Sequence, residues 1–425
     1  MRGQTLTEKL LAAHAGRDRV EPGEILRCRV DLAMANDVTA PLAVNAFREM
    51  GGGPVWDPDR VALVASHFVP AKDIASAQMS AAMRAFAAEQ GIRHYFAEGQ
   101  GGIEHVLLPE KGLVAPGELI VGADSHSCTY GAVGAFATGV GSTDLAAAWA
   151  TGEIWLRVPE TMRVVFSGRP GRFVMGKDLI LSLIGRIGFE GATYKALQLE
   201  GEALRALPMD DRFTLSNMAV EAGAKNGVIP PDDVTIDYVR ARTDRPFTPL
   251  QADADAEYQE TIEVDVGALG PVVACPPRPD AVMPVSQAES GPVDQVVIGS
   301  CTNGRFRDLV VAASILKGRR VAKGLRLVVL PGSQQVYLEA ARAGLLEVFV
   351  EAGAAVSTPT CGPCLGGSMG VAGPDERIVS TTSRNFPGRM GHRSARVWLV
   401  NPAVAAATAV AGRLVSPEDV VGGAA

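Results

Sequence analysis

No run of about 18 or more uncharged apolar residues occurs in this sequence, which excludes a membrane-spanning helix. The first twenty residues, MRGQTLTEKLLAAHAGRDRV, are amphipathic but lack the apolar core and cleavage site of a secretory signal. Basic excess is lacking too: 40 Lys and Arg stand against 47 Asp and Glu, a net charge of −7 with no basic cluster, so nucleic acid is not an expected partner. Cysteine is scarce, six in 425 residues, too few for a disulfide framework. Together these absences lead us to expect a soluble protein of a reducing compartment, the cytoplasm. There is no G-x-x-x-x-G-K-[ST] loop, and GAVGAFATG makes a poor dinucleotide fingerprint, which argues against nucleotide binding.

What is present is globular in composition, 47% apolar and 20% charged, with many glycines. The chain is too long for one ordinary core, and the texture changes near Val158-Pro159 and again in the proline-rich CPPRPDAVMP, which reads as a linker or boundary. We expect three units, 1–160, 161–280 and 281–425. Short buried strands alternate with helices, so the fold class is α/β with mostly parallel sheets. In order, the spacing predicts a helix over 5–14 capped by Thr7, a strand over 25–32, and a helix over 41–50. A strand over 61–65, a helix over 75–89 and a Gly-rich turn holding Glu104 and His105 follow. Then come a strand over 119–121 and a helix over 143–151. The second unit carries helices over 177–185 and 214–222 and a loop-rich stretch over 230–262. The third has strands over 295–298, 325–330 and 378–380, with helices over 308–316 and 334–343. In such sheets the chemistry collects at the carboxyl ends of strands, and the polar clusters Asn36-Asp37, Ser66-His67 and Asp124-Ser125-His126 fall just there.

Three thiols stand out. Cys361 and Cys364 form a C-x-x-C inside TPTCGPCLGG, and Cys301 sits where an apolar run breaks in VIGSCTNGR. Such a trio could hold an iron–sulfur cluster, zinc or a redox disulfide. Structural zinc wants four ligands, and a thioredoxin-like pair would not need Cys301. A [4Fe–4S] cluster on three thiolates leaves one iron open to act as a Lewis acid. Cys28, Cys128 and Cys275 read as small buried hydrophobes, and His14, His94 and His392 as ordinary core or surface histidines.

GSCTNGR, TPTCGPCLGG and SRNFPGRMGH, with VDLAMANDVTAPLAV and LPEKGLVAPGELIVGADSHSCTYGAVGAFATGVGSTD upstream, closely resemble the aconitase superfamily. The resemblance runs over about 5–404 and is most similar to the branch of 3-isopropylmalate dehydratase and homoaconitase large subunits. It implies three α/β domains with one [4Fe–4S] cluster at their interface, held by Cys301, Cys361 and Cys364. The implied activity is that of a hydro-lyase isomerising 2- and 3-isopropylmalate in leucine biosynthesis, with homoaconitate or another substituted malate such as 2,3-dimethylmalate as alternatives. By the same resemblance His67, His105 and His126 line the site, the latter two paired with Asp124 and Glu221. Arg384 and Arg389 bind substrate carboxylate, Ser125 donates a further hydrogen bond, and Asn36, Asn217 and Asn303 hold the surroundings of substrate and cluster. The proton-abstracting serine and a specificity loop are implied to belong to a swivelling domain on a separate small subunit.

Two departures stand beside this resemblance: Ser66 where the family pattern has Asp before the histidine, and Ser383 where it has Asn. A serine cannot supply the negative partner that raises a histidine pKa. Readings from other classes are a non-catalytic iron or redox sensor, RNA-binding when cluster-free, and a zinc-stabilised interaction module. The negative charge and the retained arginines count against the sensor.

Overall fold

The computed structural model describes residues 2–422. Five strands form a fully parallel sheet in the spatial order His94–Phe96, Val61–Val64, Leu32–Asn36, Leu119–Gly122, Phe136–Gly139. Leu32–Asn36, Val61–Val64 and Leu119–Gly122 are buried at every position. Strands covered on both faces read as continuous apolar runs rather than alternating ones, which is how these appear in the sequence. The helices Ala40–Glu49, Ile74–Gln90 and Ser142–Thr151 bring Phe47, Phe86 and Trp149 together in the core. Phe86 stacks on Trp149 with ring centroids 5.3 Å apart, an arrangement that adds roughly 0.5–1.5 kcal/mol to the burial of the rings.

A second sheet orders Asn226–Val228, Ala196–Glu200, Thr161–Ser167 and Glu260–Asp265, the first three parallel. A third, of seven strands, runs Val282–Pro284, Val272–Ala274, Arg396–Leu399, Arg377–Ser380, Gln295–Ile298, Arg326–Val329, Ala355–Val356. Its last five strands are parallel and its first two antiparallel. The fold class is therefore α/β with mostly parallel sheets. Val272–Ala274 belongs to the seven-stranded sheet. By compactness the chain gathers into two units. One holds the segment ending at Ser66 with Pro70–Ser167 and Ala192–Val264; the other holds His67–Val69, Gly168–Gly191 and the segment from Asp265 onward.

Several local expectations are corrected. The first helix is Leu6–Ala15, capped by Thr5 and not Thr7: Thr5 Oγ1 accepts from Glu8 N while Glu8 accepts from Thr5 N, a reciprocal capping box. The strand expected over 25–32 is two, Ile25–Arg29 in a hairpin-like pair with Glu153–Arg157 and Leu32–Asn36 in the main sheet. Glu104 and His105 open a helix, Glu104–Glu110, rather than lying in a turn. The helix expected over 214–222 is Met209–Asn217 followed by a 3-10 turn, Met218–Ala222. The proline-rich stretch is no boundary, because Val272–Ala274 pairs antiparallel with Val282–Pro284 across it. The loop-rich stretch contains a helix, Asp233–Arg240.

Candidate active site

In the first unit the carboxyl ends of parallel strands each deliver polar side chains to one edge of the sheet. Leu32–Asn36 ends in Asn36, Val61–Val64 leads to Ser66, and Leu119–Gly122 leads to Asp124. His105, on the helix that follows His94–Phe96, places Nε2 2.8 Å from Asp124 Oδ1. His126 places Nε2 2.8 Å from Glu221 Oε1. These are the two pairings the resemblance implies, and three of the four groups are buried to within 5% of full cover, with Asp124 half-buried. Asp124 also caps the 3-10 helix Ser125–Val133 by accepting from His126 N at 2.8 Å, so one carboxylate fixes both histidines. Asn36, fully buried, donates through Nδ2 to Glu104 Oε1 at 3.0 Å and lies 3.4 Å from Asp124 Oδ2. Its Oδ1 accepts from the backbone of Val38 and Thr39. Asn217 donates to Thr129 Oγ1 at 2.8 Å, and Thr129 in turn donates to His126 O, so Asn217 supports the histidine loop. Ser125 is exposed. Ser66 N donates to Asp37 Oδ1 at 2.8 Å, so a buried carboxylate does stand at this serine.

The Gly-rich stretch beyond Asp124 serves close packing. A Cβ at Gly131 would lie 2.2 Å from Gly227 O, and one at Gly139 would lie 2.6 Å from Asp124 O. Only glycine lets the loop press this near the backbone of its neighbours. The nine-residue length of the 3-10 helix is unusual, since runs beyond three or four residues are uncommon.

In the second unit the thiols and arginines leave the same edge of the seven-stranded sheet. Gln295–Ile298 leads to Cys301, Ala355–Val356 to Cys361 and Cys364, and Arg377–Ser380 to Arg384 and Arg389. Cys301 is the second residue of a four-residue helix, Ser300–Asn303, entered through Gly299 (φ 143°) and Ser300 (φ 82°); the left-handed conformation at a serine costs of order 1–3 kcal/mol. Thr381 staples this turn to the arginine loop, its Oγ1 accepting from Gly299 N at 2.9 Å and donating to Gly299 O at 3.0 Å. The fully buried Lys177 donates to Thr381 O at 3.1 Å and Thr382 O at 2.5 Å. Arg389 Nη2 stands 3.7 Å from Cys364 Sγ, and Arg384 is half-buried. Asn303 is held by Asp308 at 3.1 Å, and Ser383 is fully buried. His67 lies in this unit, its carbonyl accepting from Thr360 Oγ1 at 3.0 Å.

Cys301, Cys361 and Cys364 are buried, and none of the six cysteines is in a disulfide. Three buried cysteines on tight turns, with the Arg389 guanidinium 3.7 Å from Cys364 Sγ, fit an anionic iron–sulfur group. By contrast burial pushes the Cys28 thiol up to about 11 and raises that of Cys275, as inert core thiols require. Cys128 is buried with Sγ 3.4 Å from Asn217 O. His14 pairs with Asp31 at 2.6 Å, His392 bonds Ser394, and burial lowers the His94 pKa. The sequence reading passed over Tyr130, Lys177, Thr129 and Thr381.

With this geometry in view, comparison with known proteins is direct. The model of the aconitase family (aconitate hydratase) matches residues 8–291 and 287–412. The 3-isopropylmalate dehydratase large subunit of Moorella thermoacetica is 57% identical over 99% of this chain and 100% of its own length. Those of a Hydrogenobaculum species and of Aquifex aeolicus are 55% and 54% identical, covering 98% and 99% of this chain and 98% of each relative. Among solved structures, Thermococcus kodakaraensis aconitase X in its holo-form aligns over 89% of both chains with 14% identity and a TM-score of 0.49. A match that runs from the first helix through the arginine loop, at more than half identity, leaves one conclusion: the chain belongs to the aconitase family.

Proposed function

We propose that this chain is the large subunit of a 3-isopropylmalate dehydratase, a hydro-lyase that interconverts 2- and 3-isopropylmalate by removing and re-adding water. The observation that supports this most is the end-to-end identity to large subunits of that enzyme. Membership of the family implies an iron–sulfur cluster, and the name large subunit implies a small one. We take the cluster to be one [4Fe–4S] per chain on Cys301, Cys361 and Cys364. When bound, such a cluster supplies an open iron that polarises a substrate hydroxyl.

The chain's own residues supply the rest. Loss of a hydroxyl from a 2-hydroxy acid needs a proton at the departing oxygen and fixed carboxylates. Histidine suits proton delivery near neutral pH, and the Asp124 and Glu221 carboxylates hold the His105 and His126 rings in place at 2.8 Å. His67 is assigned to the same acid–base work. Arg384 and Arg389 are assigned to the substrate carboxylates, which a guanidinium grips through two parallel hydrogen bonds, with Ser125, Asn36, Asn217 and Asn303 as polar support. The small subunit, as a swivelling domain, supplies the base and the loop that reads the side group. The substrate is a small di- or tricarboxylate.

The test is anaerobic. The chain is mixed with its small subunit and the alkene is followed in the near ultraviolet across a panel of substituted malates. Turnover of isopropylmalate is the expected result. Preference for homoaconitate or 2,3-dimethylmalate would replace the substrate and keep the chemistry. Silence across the panel with iron and sulfide present, together with salt-sensitive RNA binding by the cluster-free chain, would transfer the chain to a sensing role.

A further inference from the structure

His105 is gripped at both ends. Nε2 lies 2.8 Å from Asp124 Oδ1, and Nδ1 lies 3.1 Å from the hydroxyl of Tyr130. Tyr130 is fully buried, its ring tilted 55° to the imidazole with centroids 5.6 Å apart. Both partners come from one element. Asp124 caps the 3-10 helix Ser125–Val133 and Tyr130 is its sixth residue. With three residues per turn, positions 124 and 130 lie two turns apart on one face, so the two side chains hold the imidazole like opposed jaws. An α-helix would set residues six apart on different faces, so the unusual length of the 3-10 helix acquires a purpose. Gly131, pressed against Gly227 O, is what admits that helix to its place.

We propose that Tyr130 is a positioning residue for the reaction, fixing the tautomer and ring orientation of His105. An ionised carboxylate only accepts hydrogen bonds, so Asp124 holds the proton on Nε2, and the Nδ1 of the neutral ring accepts from the Tyr130 O–H. When the ring is protonated, the hydroxyl turns and accepts from Nδ1–H. A phenol serves both states without losing its own proton; a carboxylate or an ammonium in its place serves only one. Among the groups facing His105 are Asp124, Tyr130, Glu104, with Oε1 3.7 Å from Nε2, and the His126 ring, 6.3 Å away.

The test has a spectroscopic and a kinetic arm, and only the second rests on the proposed hydro-lyase activity. Tyr130→Phe keeps the ring and removes the hydroxyl. In the full chain labelled with 15N-histidine, with His105→Gln as the assignment control, the unsubstituted protein is expected to show His105 as the Nε2–H tautomer. Tyr130→Phe is expected to move the Nδ1 resonance. With the small subunit present, kcat is expected to fall roughly 10- to 100-fold, the range for losing an orienting partner, with KM and iron content unchanged. If Tyr130→Phe does not fold, replacing tyrosine throughout by 3-fluorotyrosine, a more acidic phenol of nearly the same shape, should still move that resonance. An Nδ1 resonance indifferent to either change overturns the proposal, as does a loss confined to KM. The tautomer seen in a chain that turns over no malate would count against the assigned substrate and leave Tyr130 in its role.

Discussion

The two compact units build their polar edges by different means. In the first, His105, Asp124, His126, Glu221 and Asn36 hold one another through direct hydrogen bonds of 2.8–3.4 Å. Regular or 3-10 helices start at that edge. In the second, three thiols and two arginines leave tight turns with backbone in the left-handed region at Ser300, Gly366, Met369, Gly370 and Gly388. Buried polar groups that satisfy each other's hydrogen bonds fix a geometry by themselves. The strained conformations at Ser300 and Met369 need something to over-determine them, and a bound cluster would do that because its binding energy adds to the stability of the state that binds it. The first edge is shaped by its own side chains, whereas the second, on the proposed function, would also be shaped by the cluster it holds.

The largest effect expected from this contrast is at the thiols. Cys301→Ser, Cys361→Ser or Cys364→Ser should each abolish turnover and the visible absorbance of the cluster, and full iron content in any of them would remove that cysteine from the ligand set. Stripping iron from the unsubstituted chain should speed amide exchange over 299–305 and 358–370 and leave 119–133 unchanged. Equal loosening in both units would break the comparison itself.

Next comes His105→Gln, which removes the proposed acid–base group without touching a thiol. A fall in kcat of about 10²–10⁴-fold is expected, the usual worth of a positioned acid or base, with iron and sulfide per chain unchanged. A variant that lost its cluster in step with its activity would show the first edge to be as dependent as the second.

A smaller effect is expected at Lys177, where a buried side-chain donor ties down the Thr381 and Thr382 carbonyls. Lys177→Met leaves two buried carbonyls short of a donor, at a cost of about 1–3 kcal/mol for each group left unsatisfied. It also loosens the strand end that leads to Arg384. KM for the malate should rise about tenfold, equivalent to about 1.4 kcal/mol, with kcat little changed. An unaltered KM beside a lowered thermal midpoint would make Lys177 structural only.

The strand ends were legible in the sequence because buried parallel strands are short apolar runs that stop at polar residues, as Val61–Val64 stops before Ser66 and Gln295–Ile298 before Cys301. Helices with apolar stripes, such as Ile74–Gln90, were legible for the same reason. Less visible were elements whose logic is tertiary. Phe136–Gly139 hides in a glycine-rich stretch because Gly139 is required by the approach of Asp124 O. The 3-10 helix Ser125–Val133 has no apolar period of its own, and the pairing of Val272–Ala274 with Val282–Pro284 lies beneath a run of prolines. At the edges, the residue types could be read from the motifs, while the ties made by Tyr130, Thr381 and Lys177 join segments up to about two hundred residues apart and leave no local mark.

The smallest effect, and the sharpest for the first edge, is expected at Ser66, where the family pattern has Asp. Ser66 is fully buried, with its N–H on the buried Asp37 carboxylate at 2.8 Å. Ser66→Asp therefore does not simply restore a partner for a histidine; it sets a second carboxylate beside one already in place. Burial and the Asp37 charge both raise the pKa of the introduced group. A carboxyl whose folded pKa is raised binds more protons folded than unfolded, so the stability it removes grows as pH rises above the unfolded value near 3.9. The variant should match the parent in unfolding free energy near pH 4 and fall below it by about 1–3 kcal/mol near pH 7, with kcat no higher. A midpoint that instead rises with pH, together with faster turnover, would mean that Asp37 leaves room for the missing carboxylate and that the serine is a deficit rather than an accommodation.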